Sequence, residues 1–276
     1  MPLGRPARLR DGERMGNVIA FVPASGGVGS STLAAAVAVR AAAAGRSVVA
    51  VDLDHVSGYL DVVFGLEQEP GWRWPELADV AGVVDGLGLA DELPVSCGVP
   101  VLSGSRGAGW VLPADSAGDE WAQSLPDVVA GLADAHDLTV LDLSRDPSVL
   151  AAVGLLLDAV VVVSGTQAPQ LAATSVVVAG VRGMLRRLRD AGRAWEAQPL
   201  LPIEPWVVLR GDRVEADLED LVLDELDVPL VATIGDDRRL AAEVADGLPP
   251  GARGRGDVVR AADELLLRLT DQAIAA

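Results

Sequence analysis

The chain is poor in cysteine, aromatic residues and positive charge. Cys97 is the one cysteine in 276 residues, which excludes an intramolecular disulfide and any multi-cysteine metal site. Aromatics make up 3%, so packing must rest on Ala, Val and Leu. Lys and Arg number 22 against 40 Asp and Glu, for a formal net charge of −18 and a pI near 4.4. Such a field repels nucleic acid and anionic lipid unless a local basic patch overrides it. No apolar run of about 18 residues escapes interruption by charge or loop signals, so no membrane span is expected. Residues 155–165 are very apolar, but Asp158 and Gly165 mark a helix end followed by a buried strand. Residues 1–15 are basic and have no apolar core, so they are expected to be a disordered lead-in rather than a secretory signal.

Half of the residues are apolar, and they fall in an alternating pattern. Short β-branched runs at 18–22, 47–53, 99–102, 138–143, 159–164, 206–210 and 229–234 predict strands. Longer Ala/Leu-rich runs at 31–44, 119–134, 147–156, 168–191, 214–226, 237–245 and 257–272 predict helices. Strands such as Ala159-Val-Val-Val-Val163 lack polar alternation and need cover on both faces. That is the signature of a mostly parallel sheet with helical crossovers, a three-layer α/β sandwich. Ligands in such sheets bind beyond the carboxyl ends of the strands. Residues 67–118 break the rhythm with Gly71-Trp-Arg-Trp-Pro75 and several further glycines, which predicts an irregular insertion. No repeat and no second domain boundary are visible, so 16–272 is expected to be one domain.

The most informative segment runs from Val18-Ile-Ala-Phe-Val22 through Pro23-Ala-Ser-Gly-Gly-Val-Gly-Ser-Ser-Thr32 into Leu33-Ala-Ala-Ala-Val. Strand, glycine turn and apolar helix form the context of a phosphate-binding loop. Backbone N–H groups of Ser25, Gly26, Gly27, Val28, Gly29, Ser30, Ser31 and Thr32 can line a concavity for phosphate oxygens. The glycines supply the dihedrals, and the helix start supplies unpaired amides and a dipole. Ser31 falls where a hydroxyl would ligate Mg2+. Position 30, where the phosphate-reaching lysine belongs, is serine. Serine can donate one hydrogen bond but carries no cation. A single lost oxyanion donor costs about 2.7–4 kcal/mol in the transition state elsewhere, so hydrolysis should be slow or absent unless another cation substitutes.

Two apolar strands end in carboxylates: Val48-Val-Ala-Val-Asp52-Leu-Asp54 and Leu138-Thr-Val-Leu-Asp142. Asp142 reads as a Walker B-like acid. Of Asp52 and Asp54, one can hold an Mg2+-bound water and the other can orient a nucleophilic water. The alternative for any one of them is a turn cap. His55 abuts this region, and His136 is placed at a helix end.

Together, Ser25-Gly-Gly-Val-Gly-Ser-Ser-Thr32, Asp52-Leu-Asp54, Gly58-Tyr-Leu-Asp61-Val-Val-Phe-Gly65 and Asp142 resemble the MinD/ParA deviant-Walker ATPase superfamily. Within it the match is to the CpaE/TadZ-like branch. Gly71-Trp-Arg-Trp-Pro75 and Val101-Leu-Ser-Gly104 look similar to actinobacterial septum-site-determining, helicase/secretion-neighbourhood CpaE-like proteins. The resemblance covers about residues 16–272 and implies a P-loop NTPase fold of MinD/ParA type that binds ATP or ADP with Mg2+. Active members carry two loop lysines, at the positions of Ser30 and Ser25 here, and both are absent. The resemblance implies Ser31, Asp52 and Asp142 around the metal, with Asp54 as the catalytic, water-orienting carboxylate. Arg210 replaces an adenine-contacting asparagine and becomes a candidate base contact, able to stack on a base. Many members also have a receiver-like domain ahead of the loop, for which about 15 residues are present here.

The resulting expectation is a nucleotide-linked homodimer with little or no turnover. It would position Flp-type pilus or secretion assembly, or the septum, through protein partners in that machinery. The expected location is cytoplasmic, with recruitment to the cell pole, septum or inner membrane face. One alternative is a weak ATPase in which Arg106, Arg145 or Arg210 supplies the missing charge. The other is an interaction scaffold with a vestigial pocket. Arg182, Arg186, Arg187, Arg189 and Arg193 cluster on one helix and predict a patch for an acidic partner, with the acidic helix 215–227 of another subunit as one candidate. Against the net charge of −18, nucleic-acid binding is not expected, and the last helix, amphipathic but not basic, is not expected to insert into a membrane. Trp72, Trp74, Trp110 and Trp121 predict either a protein interface or packing of a glycine-rich lobe.

Overall fold

A computed structural model describes residues 16–55, 58–78, 80–104, 118–193, 203–212 and 216–275. The lead-in, Arg106, Trp110 and the side chains of Trp121 and Arg193 lie outside the described residues.

The chain alternates strands and helices in the expected order. Strand β1 (Asn17–Pro23) runs into helix α1 (Ser30–Ala43), then β2 (Val48–Leu53) and a short α2 (Leu60–Val63). After a 3-10 turn at Trp74–Leu77 come α3 (Gly86–Glu92), β3 (Val95–Ser96), β4 (Val99–Leu102), α4 (Gly118–Ala135) and β5 (Leu138–Leu143). The second half adds α5 (Pro147–Val153), β6 (Ala159–Gly165), α6 (Ala168–Arg193), β7 (Trp206–Arg210), α7 (Ala216–Leu226), β8 (Leu230–Ile234), α8 (Arg238–Ala245) and α9 (Asp257–Ala275). The eight-stranded sheet has the order β3-β4-β2-β5-β1-β6-β7-β8. The pairs are parallel except β3 with β4, an antiparallel hairpin at one edge.

Strand composition explains the layering. Every residue of β2, β5 and β6 is buried, as strands covered on both faces require. Along β1, Ile19 and Phe21 enter the core beneath α1 and α9, while Val18, Ala20 and Val22 enter the core beneath α4, α5 and α6. The run Leu33–Val39 of α1 is buried all round because α9 lies over it. Small alanines permit that double packing. Leu33 is fully buried, and truncating such a residue to alanine costs about 2–5 kcal/mol.

The described part of the insertion, up to residue 104, holds regular elements. It carries the 3-10 turn, α3 and the β3–β4 hairpin. The buried Arg73 guanidinium ties it together by donating to the carbonyls of Gly71, Trp72, Leu66 and Glu69. Trp74 is buried and Trp72 is 41% exposed, so of these two tryptophans of the insertion one serves packing and the other reaches the surface.

No clear membrane span stands out among the described residues, although one helix passes the test of length and composition. Residues Ala168–Ala191 are long and apolar enough to cross a bilayer by length and composition, with a mean hydropathy of 1.2. In the fold this helix is the crossover from β6 to β7. It buries Val178, Val181 and Leu185, and Arg189 donates to the Leu157 carbonyl. These contacts mark a domain helix.

Candidate functional site

The glycine loop leaves β1 at the centre of the sheet. The Ala24 amide donates to the Val163 carbonyl at 2.8 Å, which pins the loop base to β6. Val28 is buried in the core under α1 and anchors the far side. Gly27 and Gly29 have φ of +74° and +88°, a region where side chains carry a steric cost. Gly26 has no positive φ, and a Cβ there, as at Gly27, would meet nothing within 4 Å. Packing does not demand that glycine, and the space above it is open to an approaching ligand.

Gly29 is the N-cap of α1, and no side chain caps the helix. Ser30 is 5% exposed, and among the described residues its hydroxyl has no hydrogen-bond partner; the buried Ser25 hydroxyl also has none. Leaving such a group unsatisfied costs about 1–3 kcal/mol. An uncapped helix start, an open glycine and two orphaned hydroxyls make an arrangement that could hold an anion.

The carboxylates converge beside it. Asp52 and Asp142 sit opposite each other in the β2–β5 register. The Ser31 hydroxyl stands beside the Asp142 carboxylate, so the start of α1 and the end of β5 meet there. Burial pushes Asp142 well above the usual carboxylate range, and the charges of Asp52 and Asp54 push the same way against the Ser31 hydrogen bond. Burial likewise raises Asp52 to about 6, opposed by hydrogen bonds from Leu60, Ser103 and Asp54.

Asp52 has a second task. Its carboxylate accepts from the Asp54 amide at 3.0 Å, the Leu60 amide at 3.0 Å and the Ser103 hydroxyl at 2.9 Å. Gly58 passes so close that a Cβ would fall 2.4 Å from the Asp52 carboxylate. The Trp74 indole donates to the Asp52 carbonyl at 2.7 Å. Asp52 thus clamps the turn after β2 and ties it to the insertion. Its oxygens are committed to three protein donors, whereas Asp142 is engaged by Ser31. Asp54 lies on the same turn, where its carbonyl accepts from the Gly58 amide.

Among the described residues no group of three or more His, Cys, Asp or Glu side chains forms a metal cage. The donor set fits a hard divalent cation nonetheless. Mg2+ is usually held by one or two protein oxygens, with waters and substrate phosphates completing its octahedron. Ser31 and Asp142 would be those protein oxygens, and the mutual repulsion of Asp52, Asp54 and Asp142 favours a cation between loop and strands.

The other candidates are distributed differently. Arg210, at the end of β7, donates from Nη1 to the Gly27 carbonyl at 3.1 Å and from Nε to Asp236 at 2.8 Å. It therefore lies on the loop itself. Arg145 is exposed beyond β5. His55 Nε2 is 3.3 Å from Asp146, the N-cap of α5, and His136 Nδ1 donates to the Leu132 carbonyl at the end of α4. In the arginine cluster on α6, Arg182 pairs with Glu204 and donates to the Asp227 carbonyl, while Arg189 is buried. A cavity of about 500 Å³ there is lined by arginines and acids of the same chain. Part of the expected patch is therefore spent internally.

Sequence reading weighed the two loop positions singly and missed a compositional signal. All 22 basic residues are arginine, and the chain contains no lysine. Any cation this chain brings to the loop is a guanidinium.

Residues 19–250 match the CobQ/CobB/MinD/ParA nucleotide binding domain. An uncharacterized protein of Mycobacterium tuberculosis, found in two strains, is 36% identical over 146 residues, which are 48% of this chain and 40% of that protein. The match thus spans about two fifths of the length of those curated relatives. Similar solved structures include a ParA family ATPase from Chlorobium tepidum, with TM-score 0.67 and 17% identity over 91% of this chain and 98% of that one. The cell division ATPase MinD of Pyrococcus furiosus has TM-score 0.66 and 24% identity over 92% and 100%. The septum site-determining protein MinD of Pyrococcus horikoshii, solved with Mg-ADP, has TM-score 0.60 and 23% identity over 91% and 96%. At these identities the structures share the fold.

Proposed function

The chain belongs to the CobQ/CobB/MinD/ParA nucleotide-binding domain family, and from that premise we propose that it is a nucleotide-responsive positioning protein that binds ATP or ADP with Mg2+ and turns it over slowly or not at all. One observation carries the reading: the orphaned, buried Ser30 hydroxyl under an uncapped helix start, with Ser31 joined to Asp142 beside it. The loop amides and hydroxyls of residues 25–32 would hold phosphate oxygens, and Ser31 and Asp142 would hold the metal. Bound Mg2+ would neutralise phosphate charge. Asp54 would orient water. The missing lysines argue for slow cleavage, because neither loop ammonium then stands where charge develops.

The CpaE/TadZ-like branch is the finer placement, supported by Gly71-Trp-Arg-Trp-Pro75 and the lysine-free loop. It implies one domain over 16–272 and a nucleotide-linked homodimer. Its partners would belong to pilus, secretion or division machinery at the pole, septum or inner membrane face. Calorimetric titration with Mg2+-ATP and Mg2+-ADP, beside a phosphate-release assay and mass measurement with and without nucleotide, tests the proposal. Micromolar to millimolar binding with little phosphate release and a nucleotide-dependent dimer is the expected result. No binding at millimolar nucleotide would leave a scaffold with a vestigial pocket; rapid release would make the chain an ordinary ATPase.

A further inference from the structure

We infer that Arg210 is the working cation of this lysine-free phosphate loop, held against it in a partly neutralised state by Asp236. The inference rests on the nucleotide-binding reading and names how the site makes up its missing charge.

Arg210 reaches the loop from the end of β7, 183 residues away in sequence from the Gly27 carbonyl that its Nη1 meets at 3.1 Å. The same nitrogen stands 3.0 Å from where a Cβ of Gly29 would sit. The absence of a side chain at position 29 thus makes room for the guanidinium as well as permitting the positive φ. Nε is taken by Asp236 at 2.8 Å. The side chains of Arg210 and Asp236 are 37% and 51% exposed, so the guanidinium rests on the rim with donors still open to solvent. A guanidinium carries five N–H groups in a rigid fork, which allows one side chain to grip a carboxylate and a carbonyl and still donate to a phosphate. Among the described arginines, Arg210 is the one whose guanidinium bonds the loop backbone. A base-contacting role is the competing use of the same side chain.

Mg2+-pyrophosphate and Mg2+-ADP separate the two uses, because pyrophosphate has no base. Both probes are titrated by calorimetry into the wild type, Arg210→Gln and Asp236→Asn, with thermal unfolding of each variant confirming the fold. Arg210→Gln should weaken both probes by about tenfold, the scale of one charge-assisted contact. Asp236→Asn should tighten both by about threefold, as expected from removing an exposed counter-charge. High salt should shrink the difference between wild type and Arg210→Gln. Unchanged pyrophosphate binding in Arg210→Gln overturns the inference, and loss of ADP binding alone reassigns Arg210 to the base. Weaker binding in Asp236→Asn overturns the counter-charge role. A wild type that binds neither probe removes the nucleotide reading itself, a result distinct from wild-type binding that Arg210→Gln leaves intact.

Discussion

Asp52 and Asp142 lie opposite each other at the carboxyl ends of neighbouring parallel strands, both buried, and the charge of Asp52 raises the cost of ionising Asp142. This sets a pH dependence. Asp52 titrates near 3.8 without the fold and near 6 within it. The folded state therefore binds the proton more tightly. The stability gained from protonation is fully present below 3.8 and is lost as pH rises through about 6; Asp142 shifts the same way and extends the loss upward. Metal-free protein should melt at a higher temperature at pH 5 than at pH 7.5, and Asp142→Asn should flatten the slope. The Asp52 shift is worth at most about 3 kcal/mol. A melting temperature that rises from pH 5 to 7.5 would contradict this account.

Restoring the loop cation tests the cradle directly. Ser30→Lys places an ammonium where a buried hydroxyl now has no partner. Without ligand, burying that charge should lower stability, by about 1–3 kcal/mol. With Mg2+-ADP the affinity should rise about tenfold or more, and the melting temperature should recover. Unimproved binding would mean that the Ser30 side chain does not face a phosphate site.

Gly26 and Gly29 should separate function from folding. Gly29→Ala puts a side chain at φ +88° and 3.0 Å from Arg210, so it should cost about 1–2 kcal/mol. Gly26→Ala meets no atom within 4 Å and has no positive φ to strain. Its melting temperature should stay near wild type while nucleotide affinity falls, because the methyl group occupies the approach to the backbone amides. Chemical denaturation and calorimetry on the pair check both halves. Equal binding by Gly26→Ala and wild type would place the phosphates elsewhere.

The sheet was legible because its strands are unbroken apolar runs, and buried parallel strands write themselves that way. The two-residue β3 was missed: a pair of residues has no period. The glycines at 86 and 88 hid α3, a short helix whose cap is Asp85 donating no sequence rhythm but accepting from the Gly88 amide. Of the site, the loop and the strand-end acids were visible because each is local. The Arg210 contact was not, since Gly27 and Asp236 lie 183 and 26 residues from it in sequence. The commitment of Asp52 to three protein donors was also invisible: Ser103 comes from β4's far end, 51 residues on.

That commitment yields the most local prediction. Asp52→Ala removes the acceptor for the Asp54 and Leu60 amides and for the Ser103 hydroxyl. Each buried donor left unpaired costs about 1–3 kcal/mol. The same change removes a buried carboxylate whose ionisation is already disfavoured, and it relieves repulsion on Asp142. The two effects oppose, so global stability at pH 7 should fall by less than about 3 kcal/mol. The turn after β2 has no such compensation. Hydrogen exchange at the Asp54 and Leu60 amides should accelerate by about tenfold or more, while β1 and β5 stay protected. Unchanged exchange at those two amides would show that the insertion, through the Trp74 indole on the Asp52 carbonyl, holds the turn without the carboxylate.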